Sequence, residues 1–194
     1  MYKKLINKIL NKIGYRVEKV NNKIPFPIEF NNDEINLIKS IEDYTMTGRI
    51  RVISLLNLYK DVINRNIEGD FVECGVWRGG NLILIQKLNE LYKQERVIFG
   101  FDTFEGMTEA NQFDIDLRND NARNLLSETK KINNVKNIWA YCDIQTVQNN
   151  INNLAKINKI NLIKGDVCKT LREDKNLPNK ISLLRLDTDF YEST

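Results

Sequence analysis

The stretch that decides the fold is Phe71-Val72-Glu73-Cys74-Gly75-Val76-Trp77-Arg78-Gly79-Gly80-Asn81. Its first four residues predict a short buried strand, and from residue 81 the apolar side chains recur at helical spacing. An acid ends the strand, glycines let a ligand approach the backbone closely, and a helix N-terminus follows. Such a turn can hold the polar end of a nucleotide-like cofactor, although a tight strand-to-helix turn without a ligand would use the same residues.

The glycine spacing of this turn bears on the kind of cofactor. The glycines stand at 75, 79 and 80, which is not the GxGxxG pattern of dinucleotide-binding turns. The acid Glu73 would repel a diphosphate, whereas it would attract the ammonium group of the methionine moiety of S-adenosylmethionine (SAM). The turn therefore favours SAM, and an NAD-dependent enzyme on the same architecture is the alternative.

Strand and helix patterns alternate along the rest of the chain. Strands are predicted at 71–74, 97–101, 138–142, 160–163 and 181–186. Helices are predicted over 49–65, 81–93, 119–131 and 147–154. A further helix is predicted to begin near Asp33, which would cap it. This alternation predicts an α/β fold with a doubly wound, mostly parallel, Rossmann-like sheet. The 194 residues suffice for one domain with a core. We expect that domain over 33–194, after an amphipathic helix and linker over 1–32.

Acids stand at three further strand ends. Asp102 lies 22 residues after Gly80, the usual interval for a carboxylate that binds ribose hydroxyls. Asp166 could accept a hydrogen bond from an adenine amino group, and the last strand delivers Asp187 and Asp189. Each acid alone could equally cap a turn or a helix. Because open α/β sheets bind ligands at the carboxyl ends of their strands, we expect these side chains to face one site.

Composition limits the chemistry and the partners. The chain has no His, so any acid–base step falls to carboxylates, Lys, Tyr or Cys, and any metal should be an oxygen-bound cation such as Mg²⁺. Its three cysteines lack CxxC spacing, which fits reduced thiols in the cytoplasm. Residues 1–20 hold six basic groups and one acid, whereas the rest holds 23 basic and 25 acidic groups. Nucleic acid is therefore not an expected partner.

Residues 2–13 predict an amphipathic helix with Lys and Asn on its polar face. Such a helix suits packing on the domain or on a partner, and it equally suits peripheral contact with an anionic membrane surface. No apolar run in the sequence approaches the length of a membrane span. We expect a cytoplasmic protein, with peripheral membrane contact through residues 2–13 as the open alternative.

Taken together, three segments closely resemble the macrocin O-methyltransferase (TylF/MycF-like) family of class I SAM-dependent methyltransferases. They are FVECGVWRGG at 71–80, DTFEG at 102–106 and LLRLDTDFYEST at 183–194, and TMTGR at 45–49 resembles the family's segment ahead of the core. The resemblance covers residues 40–194. It implies a SAM-binding doubly wound fold that methylates a sugar hydroxyl, with help from Mg²⁺, on glycosylated natural products or related sugars.

The resemblance also implies roles at matching positions. Asp187 should bind Mg²⁺ close to the reacting hydroxyl, and Asp189 is a second candidate for metal ligand and catalytic base. The expected cofactor-binding residues are Thr47, Glu73, Gly75, Trp77, Arg78, Gly79, Gly80, Asp102, Thr103, Phe104 and Asp166. The expected substrate is a small-molecule sugar or glycoside, and the expected assembly is a homo-oligomer.

One departure from the family puts catalysis by this chain in doubt. The family continues into further strands, and a later Asp-Asp pair completes its metal site, whereas this sequence ends at Thr194. We therefore expect that residues 1–194 alone expose the outer edge of the strand at 181–186, pair it with another chain or belong to a longer polypeptide, and that they have little affinity for Mg²⁺. A non-catalytic SAM-binding or interaction module is the alternative from another functional class.

Overall fold

The computed structural model describes residues 25–155 and 159–194, together with Leu10. The amphipathic helix predicted over 2–13, and with it the membrane contact, lies outside the described residues. In the described part of the chain, no helix combines the length and the apolar character needed to cross a membrane.

Four parallel strands form the sheet: β1 (Asp70–Cys74), β2 (Ile98–Asp102), β3 (Ile160–Lys164) and β4 (Ile181–Leu186). Their order across the sheet is β3-β2-β1-β4. The chain therefore moves from β1 outward to β2 and β3 and then crosses to the other side of β1. The predicted doubly wound α/β fold is confirmed, and its topological switch point falls between β1 and β4.

Six α-helices occur in the described residues, two before β1 and four between the strands. They are α1 (Asn32–Ile41), α2 (Arg49–Asn64), α3 (Gly80–Leu91), α4 (Ala122–Glu128), α5 (Ile144–Leu154) and α6 (Val167–Thr170), with 3₁₀ turns at Glu42–Tyr44 and Asp174–Asn176. The cap expected at Asp33 is wrong. Asn31 caps α1 instead, because its side chain and that of Glu34 each accept the other's backbone N–H in a capping box.

Helix α3 is the centre of the larger core. It is apolar on nearly all sides, and Leu82, Ile83, Leu84 and Ile85 are fully buried within one cluster that includes side chains from α1, α2 and α5. Alternate residues of the sheet face opposite ways. Phe71 belongs to this cluster, whereas Val72 packs in a smaller one with Val167 of α6. The carboxyl ends of the strands thus lie between two packed layers.

The strand predicted at 138–142 does not form. Local bonds hold this segment as a turn: the Asn137 side chain accepts the Trp139 N–H at 2.9 Å, and the Trp139 indole donates to the Thr129 carbonyl at 2.7 Å. Ala140 has a φ of 44°, outside the range of a strand. The segment instead bonds to the loop after β2, where the Met107 N–H donates to the Trp139 carbonyl.

Candidate cofactor and active site

A cavity opens where β1, β2 and β4 end, at the switch point of the sheet. Eight of the residues predicted to form a site line it: Thr47, Gly75, Trp77, Asp102, Thr103, Asp166, Asp187 and Asp189. The other lining residues did not enter the predicted set: Thr45, Met46, Val76, Asn81, Phe101, Gly106, Met107, Thr108, Ala140, Val167, Thr188 and Ser193. Half of these belong to the segments that carry the family resemblance: Thr45, Met46, Val76, Gly106, Thr188 and Ser193. The other half lie outside those segments.

The charge of the cavity wall is of one sign. Four carboxylates line it, those of Asp102, Asp166, Asp187 and Asp189, and the described lining includes no Lys or Arg. Carboxylates around a cavity produce a negative potential that attracts cations and repels phosphates. The site is therefore matched to a positively charged ligand.

Gly75 is required by the backbone at the switch point. It has a φ of 88°, and a Cβ at this position would lie 2.1 Å from the carbonyl oxygen of Asp187. The ends of the strands meet here, because the Gly75 N–H donates to Phe101 and the Asp187 N–H donates to the carbonyl of Cys74. Glycine thus serves the junction of β1 with β4 as well as the approach of a ligand.

Asp102 binds the turn that follows β1. Its carboxylate accepts the backbone N–H groups of Val76 at 2.7 Å, Trp77 at 3.1 Å and Phe104 at 2.7 Å. Burial raises the pKa of Asp102, and these three donors oppose the rise. The carboxylate therefore fixes the turn, and its expected bond to a ribose stays a prediction.

Glu73 lies behind the cavity wall and is fully buried. Its Oε1 accepts hydrogen bonds from Asn81 Nδ2 at 2.9 Å and from Arg185 Nη1 at 2.8 Å, whereas its Oε2 has no partner among the described residues. Burial raises the pKa of Glu73 to about 7, against the opposing effects of the Arg185 charge and the Asn81 hydrogen bond. In this arrangement Glu73 acts on the cavity through Asn81 and Arg185.

Arg185, which was not among the predicted site residues, joins the two central strands. Besides Glu73, its guanidinium donates to Thr47 Oγ1 at 2.8 Å and to Asp187 Oδ2 at 2.7 Å. The parallel register of β1 and β4 makes Glu73 and Arg185 direct partners. A single basic residue inside the apolar run of β4 was the available sequence signal for this role.

Asp187 and Asp189 differ in their surroundings. Asp187 is paired with Arg185, whereas the Asp189 carboxylate accepts no hydrogen bond from the described residues and stands on a backbone with a φ of 65°. Burial and the nearby charge of Asp187 raise the pKa of Asp189. The structure thus separates two acids that the sequence left equivalent.

Four predicted cofactor residues beyond Glu73 lie outside the cavity lining. Arg78 stacks on Trp77 and donates to the carbonyls of Asp43 and Asn134. The other three support the turn: Gly79 starts α3 with a φ of 87°, a Cβ on Gly80 would lie 2.5 Å from Tyr44 O, and Phe104 is buried in the core.

The described residues do not by themselves fit a magnesium site. No cluster of three or more His, Cys, Asp or Glu side chains suited to a metal occurs in the part of the chain that the structure describes. Mg²⁺ prefers six oxygen ligands in near-octahedral geometry. Asp187 and Asp189 supply two carboxylates, and the first is engaged by Arg185.

Comparison with known proteins gives a family match. The sequence model described as Macrocin-O-methyltransferase (TylF) matches residues 32–194. Demethyldecarbamoylnovobiocin O-methyltransferase of Streptomyces niveus is 27% identical over 154 residues, which cover 78% of this chain and 54% of that protein. The solved structure of the O-methyltransferase NovP matches with a TM-score of 0.61 and 25% identity, over 99% of this chain and 74% of that one.

The name of a third similar protein includes its acceptor. It is the 8-demethyl-8-(2,3-dimethoxy-alpha-L-rhamnosyl)-tetracenomycin-C 4'-O-methyltransferase of Streptomyces olivaceus, 36% identical over 67 residues, which cover 34% of this chain and 26% of that protein. The chain thus spans about half the length of the novobiocin relative (54%) and a smaller share of this one.

Proposed function

We propose, from the premise that the chain belongs to the macrocin O-methyltransferase family, that it binds SAM and transfers its methyl group to a sugar hydroxyl of a glycosylated metabolite or saccharide. The observation that carries the proposal is the wall of four carboxylates, without a basic residue among its described members, at the switch point. SAM brings a sulfonium and an ammonium group to such a wall, whereas the diphosphate of NAD would be repelled.

The class of acceptor is supported by the relatives. The protein of Streptomyces olivaceus is named for O-methylation of a compound that bears a rhamnosyl group. A sugar hydroxyl is a neutral, weak nucleophile, so the site must position it and accept its proton. The identity of the sugar and the position of the hydroxyl can be determined with a panel of glycosides.

The cofactor would lie along the ends of β1, β2 and β3. Trp77 supports this placement, because its indole N–H is buried without a partner among the described residues and could donate to an acceptor of the ligand. Asp166 accepts the Cys168 N–H through one oxygen, which leaves the other for an adenine amino group. Met107 and Val167 offer apolar surface for the base.

The reaction would be an in-line displacement at the methyl group. The hydroxyl oxygen forms a bond to the methyl carbon as the carbon–sulfur bond breaks, S-adenosylhomocysteine leaves, and a carboxylate takes the hydroxyl proton. We assign the base to Asp189, since its carboxylate has no hydrogen-bond partner among the described residues, whereas Asp187 is held by Arg185. Asp187, which is held by Arg185, then orients the acceptor.

Several narrower expectations stay predictions. Magnesium binding would require Asp187 to exchange Arg185 for the metal and would require further oxygen ligands. A homo-oligomeric assembly, a cytoplasmic location and a peripheral membrane contact through residues 2–13 are likewise proposals.

Binding and transfer can be tested separately. Calorimetry should detect S-adenosylhomocysteine and no NAD, and labelled SAM should methylate members of a panel of rhamnosides and related glycosides. Asp189→Asn should lower transfer by about 10²- to 10⁴-fold, a loss far larger than the loss of S-adenosylhomocysteine affinity that follows from removing one of the four carboxylates. The exposed Asp174→Asn serves as the matched control. Binding of NAD in place of S-adenosylhomocysteine would refute the proposal, and full transfer by Asp189→Asn would remove Asp189 as the base.

A further inference from the structure

A second pocket lies between the loop that follows β2 and the loop that follows β4. Four of its lining side chains are carboxamides, those of Asn111, Gln112, Asn121 and Asn124. Each carboxamide offers N–H donors and a carbonyl acceptor side by side. Neighbouring hydroxyl groups of a sugar ring also combine donors with acceptors, so this lining is suited to a polyhydroxylated ligand.

The charges of the pocket favour a neutral ligand. Its described lining holds one base, Arg123, and one acid, Glu192, whereas the charged residues that line the cavity are all acids. Arg123 is engaged by Glu109 at 3.6 Å and donates to the Ala110 carbonyl at 2.8 Å. The pocket therefore has no surplus positive charge with which to bind a phosphate. The carboxylate of Glu192 can accept hydrogen bonds from hydroxyl groups.

A pair of exposed aromatic rings lies at the pocket. Phe113, which lines it, is 60% exposed, and Tyr191 is 71% exposed. Their ring centroids are 5.3 Å apart, and the planes are inclined at 42°. The face of an aromatic ring carries negative charge density, so it packs favourably against the positively polarised C–H groups of a sugar ring. Exposed rings beside carboxamides indicate a saccharide more specifically than either feature does alone.

A buried carboxylate holds the two loops together. Asp114 is 6% exposed, and it accepts the backbone N–H groups of Asn111 at 2.7 Å and of Tyr191 at 2.8 Å. Asn111 in turn accepts the N–H of Phe113 through its side chain at 2.7 Å. The backbone around the pocket is therefore preorganised, which lowers the cost of binding a ligand there.

The same two loops also contribute to the cavity wall. Thr108 and Ser193 line the cavity, whereas Asn111 and Glu192 line the pocket. The Cα atoms of the consecutive residues Glu192 and Ser193 are about 3.8 Å apart, and those of Thr108 and Asn111 are at most about 11 Å apart. The pocket is thus adjacent to the cavity. A saccharide with one hydroxyl at Asp189 can place its next sugar unit in the pocket.

We infer that the pocket binds the sugar unit next to the one that is methylated, so that the acceptor is a saccharide of at least two units. The inference rests on the proposed function, which places the reacting hydroxyl at Asp189. It makes Phe113 and Gln112 residues that determine specificity for the second unit. A single sugar on an apolar group would leave the carboxamides of the pocket without partners.

The test measures binding in the presence of S-adenosylhomocysteine, so the result does not depend on methyl transfer. NMR titration of the full chain would compare methyl rhamnoside, the methyl glycoside of a rhamnose disaccharide and naphthyl rhamnoside, together with the corresponding glucosides. In at least one series the disaccharide should bind about tenfold more tightly than the methyl glycoside, as expected for one stacking contact with a hydrogen bond.

Variants of exposed residues assign this preference to the pocket. Phe113→Ala should remove most of it, and Gln112→Ala should reduce it about threefold or more. Leu117→Ala is the matched control, because Leu117 is an exposed apolar residue of the same loop that does not line the pocket. All three side chains are exposed, so the variants should fold.

The outcomes separate the inference from the proposed function. Equal affinity for the methyl glycoside and the disaccharide, no binding of any compound, or a preference that survives Phe113→Ala would overturn the inference. Tighter binding of the naphthyl glycoside than of the disaccharide would assign the pocket to an apolar aglycone and would overturn it as well. Binding of the disaccharide without methyl transfer from SAM to any glycoside would instead refute the proposed function and leave the pocket as a saccharide site.

Discussion

Strands β1 and β4 are neighbours that end at the same cavity, but they are built differently. The last four residues of β1, Phe71–Cys74, are no more than 1% exposed. In β4, Ile181, Leu184 and Leu186 are 45%, 49% and 45% exposed, and in the described residues β4 pairs with β1 alone. One strand is enclosed by two packed layers, whereas the other has an open edge.

The comparison shows that the two sides of the cavity are stabilised by different means. On the β1 side, backbone N–H groups and the buried core hold the turn and its carboxylate ligand Asp102. On the β4 side, Asp187 is held by one side chain, Arg185, which reaches back to Glu73. The turn of the cofactor half is therefore preorganised by backbone hydrogen bonds, whereas the side chain of Asp187 on the other half is oriented by an ion pair.

The largest effect is expected where the two strands touch. Gly75→Ala would place a Cβ 2.1 Å from the Asp187 carbonyl oxygen on a backbone of positive φ, so the end of β4 must move. We expect a loss of about 4 kcal/mol in the free energy of unfolding, measured by urea denaturation. At Gly48 a Cβ would meet nothing within 4 Å, and Gly48→Ala should change stability by less than about 1 kcal/mol. Equal effects of the two substitutions would show that the strand junction is not constrained.

Removal of Arg185 should have the next largest effect. Arg185→Met leaves the buried Glu73 without its charge partner, and breaking such a pair costs about 3 kcal/mol. Glu73→Gln in the same chain removes the uncompensated charge and should recover part of the loss. A double-mutant cycle of unfolding free energies measures this coupling. Strictly additive effects would contradict the network that joins β1 to β4.

The packing of the two strands can be compared directly at one pair of cross-strand partners. Val72 in β1 and Leu184 in β4 are partners in the ladder, with exposures of 1% and 49%. Val72→Ala should cost about 2–3 kcal/mol, because it leaves a cavity in a packed layer, and Leu184→Ala under about 1 kcal/mol although it deletes more atoms. Urea denaturation of both variants measures the two changes in the free energy of unfolding. A larger cost at Leu184 would mean that the outer face of β4 is covered in solution.

Local patterns in the sequence were sufficient to predict the four strands of the sheet and the acids that follow them. Asp102 and Asp187 directly follow apolar residues, and Asp166 follows the strand at 160–163 after a lysine and a glycine, so all three are predicted at one edge of a parallel sheet. The bond between Glu73 and Arg185 could not be foreseen, because it depends on the register that sets the two strands side by side. The error at 138–142 has a similar origin. Side-chain bonds such as that of Asn137 to the backbone outweighed an apolar pattern that favours a strand.

The smallest effect is a dependence of stability on pH that arises from the buried acid of β1. Burial raises the pKa of Glu73 from 4.5 to about 7 in the folded chain. Between these values the folded chain keeps a proton that the unfolded chain has lost, so the free energy of unfolding falls as pH rises. We expect a loss of about 1–2 kcal/mol from pH 5 to pH 7. The loss stays below the limit of about 1.4 kcal/mol per unit because the unfolded chain still holds part of the proton at pH 5 and the folded chain has lost part of it at pH 7.

Glu73→Gln removes the titrating group and should flatten this slope. Glu68→Gln should not, because the Lys180 partner lowers the pKa of the exposed Glu68, which gives any contribution of Glu68 to the slope the opposite sign. Urea denaturation of the three proteins at pH 5, 6 and 7 gives the slopes. If the unaltered chain and Glu73→Gln show the same slope, Glu73 is ionised throughout this range, and its two oxygens must then be matched by Arg185 and Asn81 without a proton.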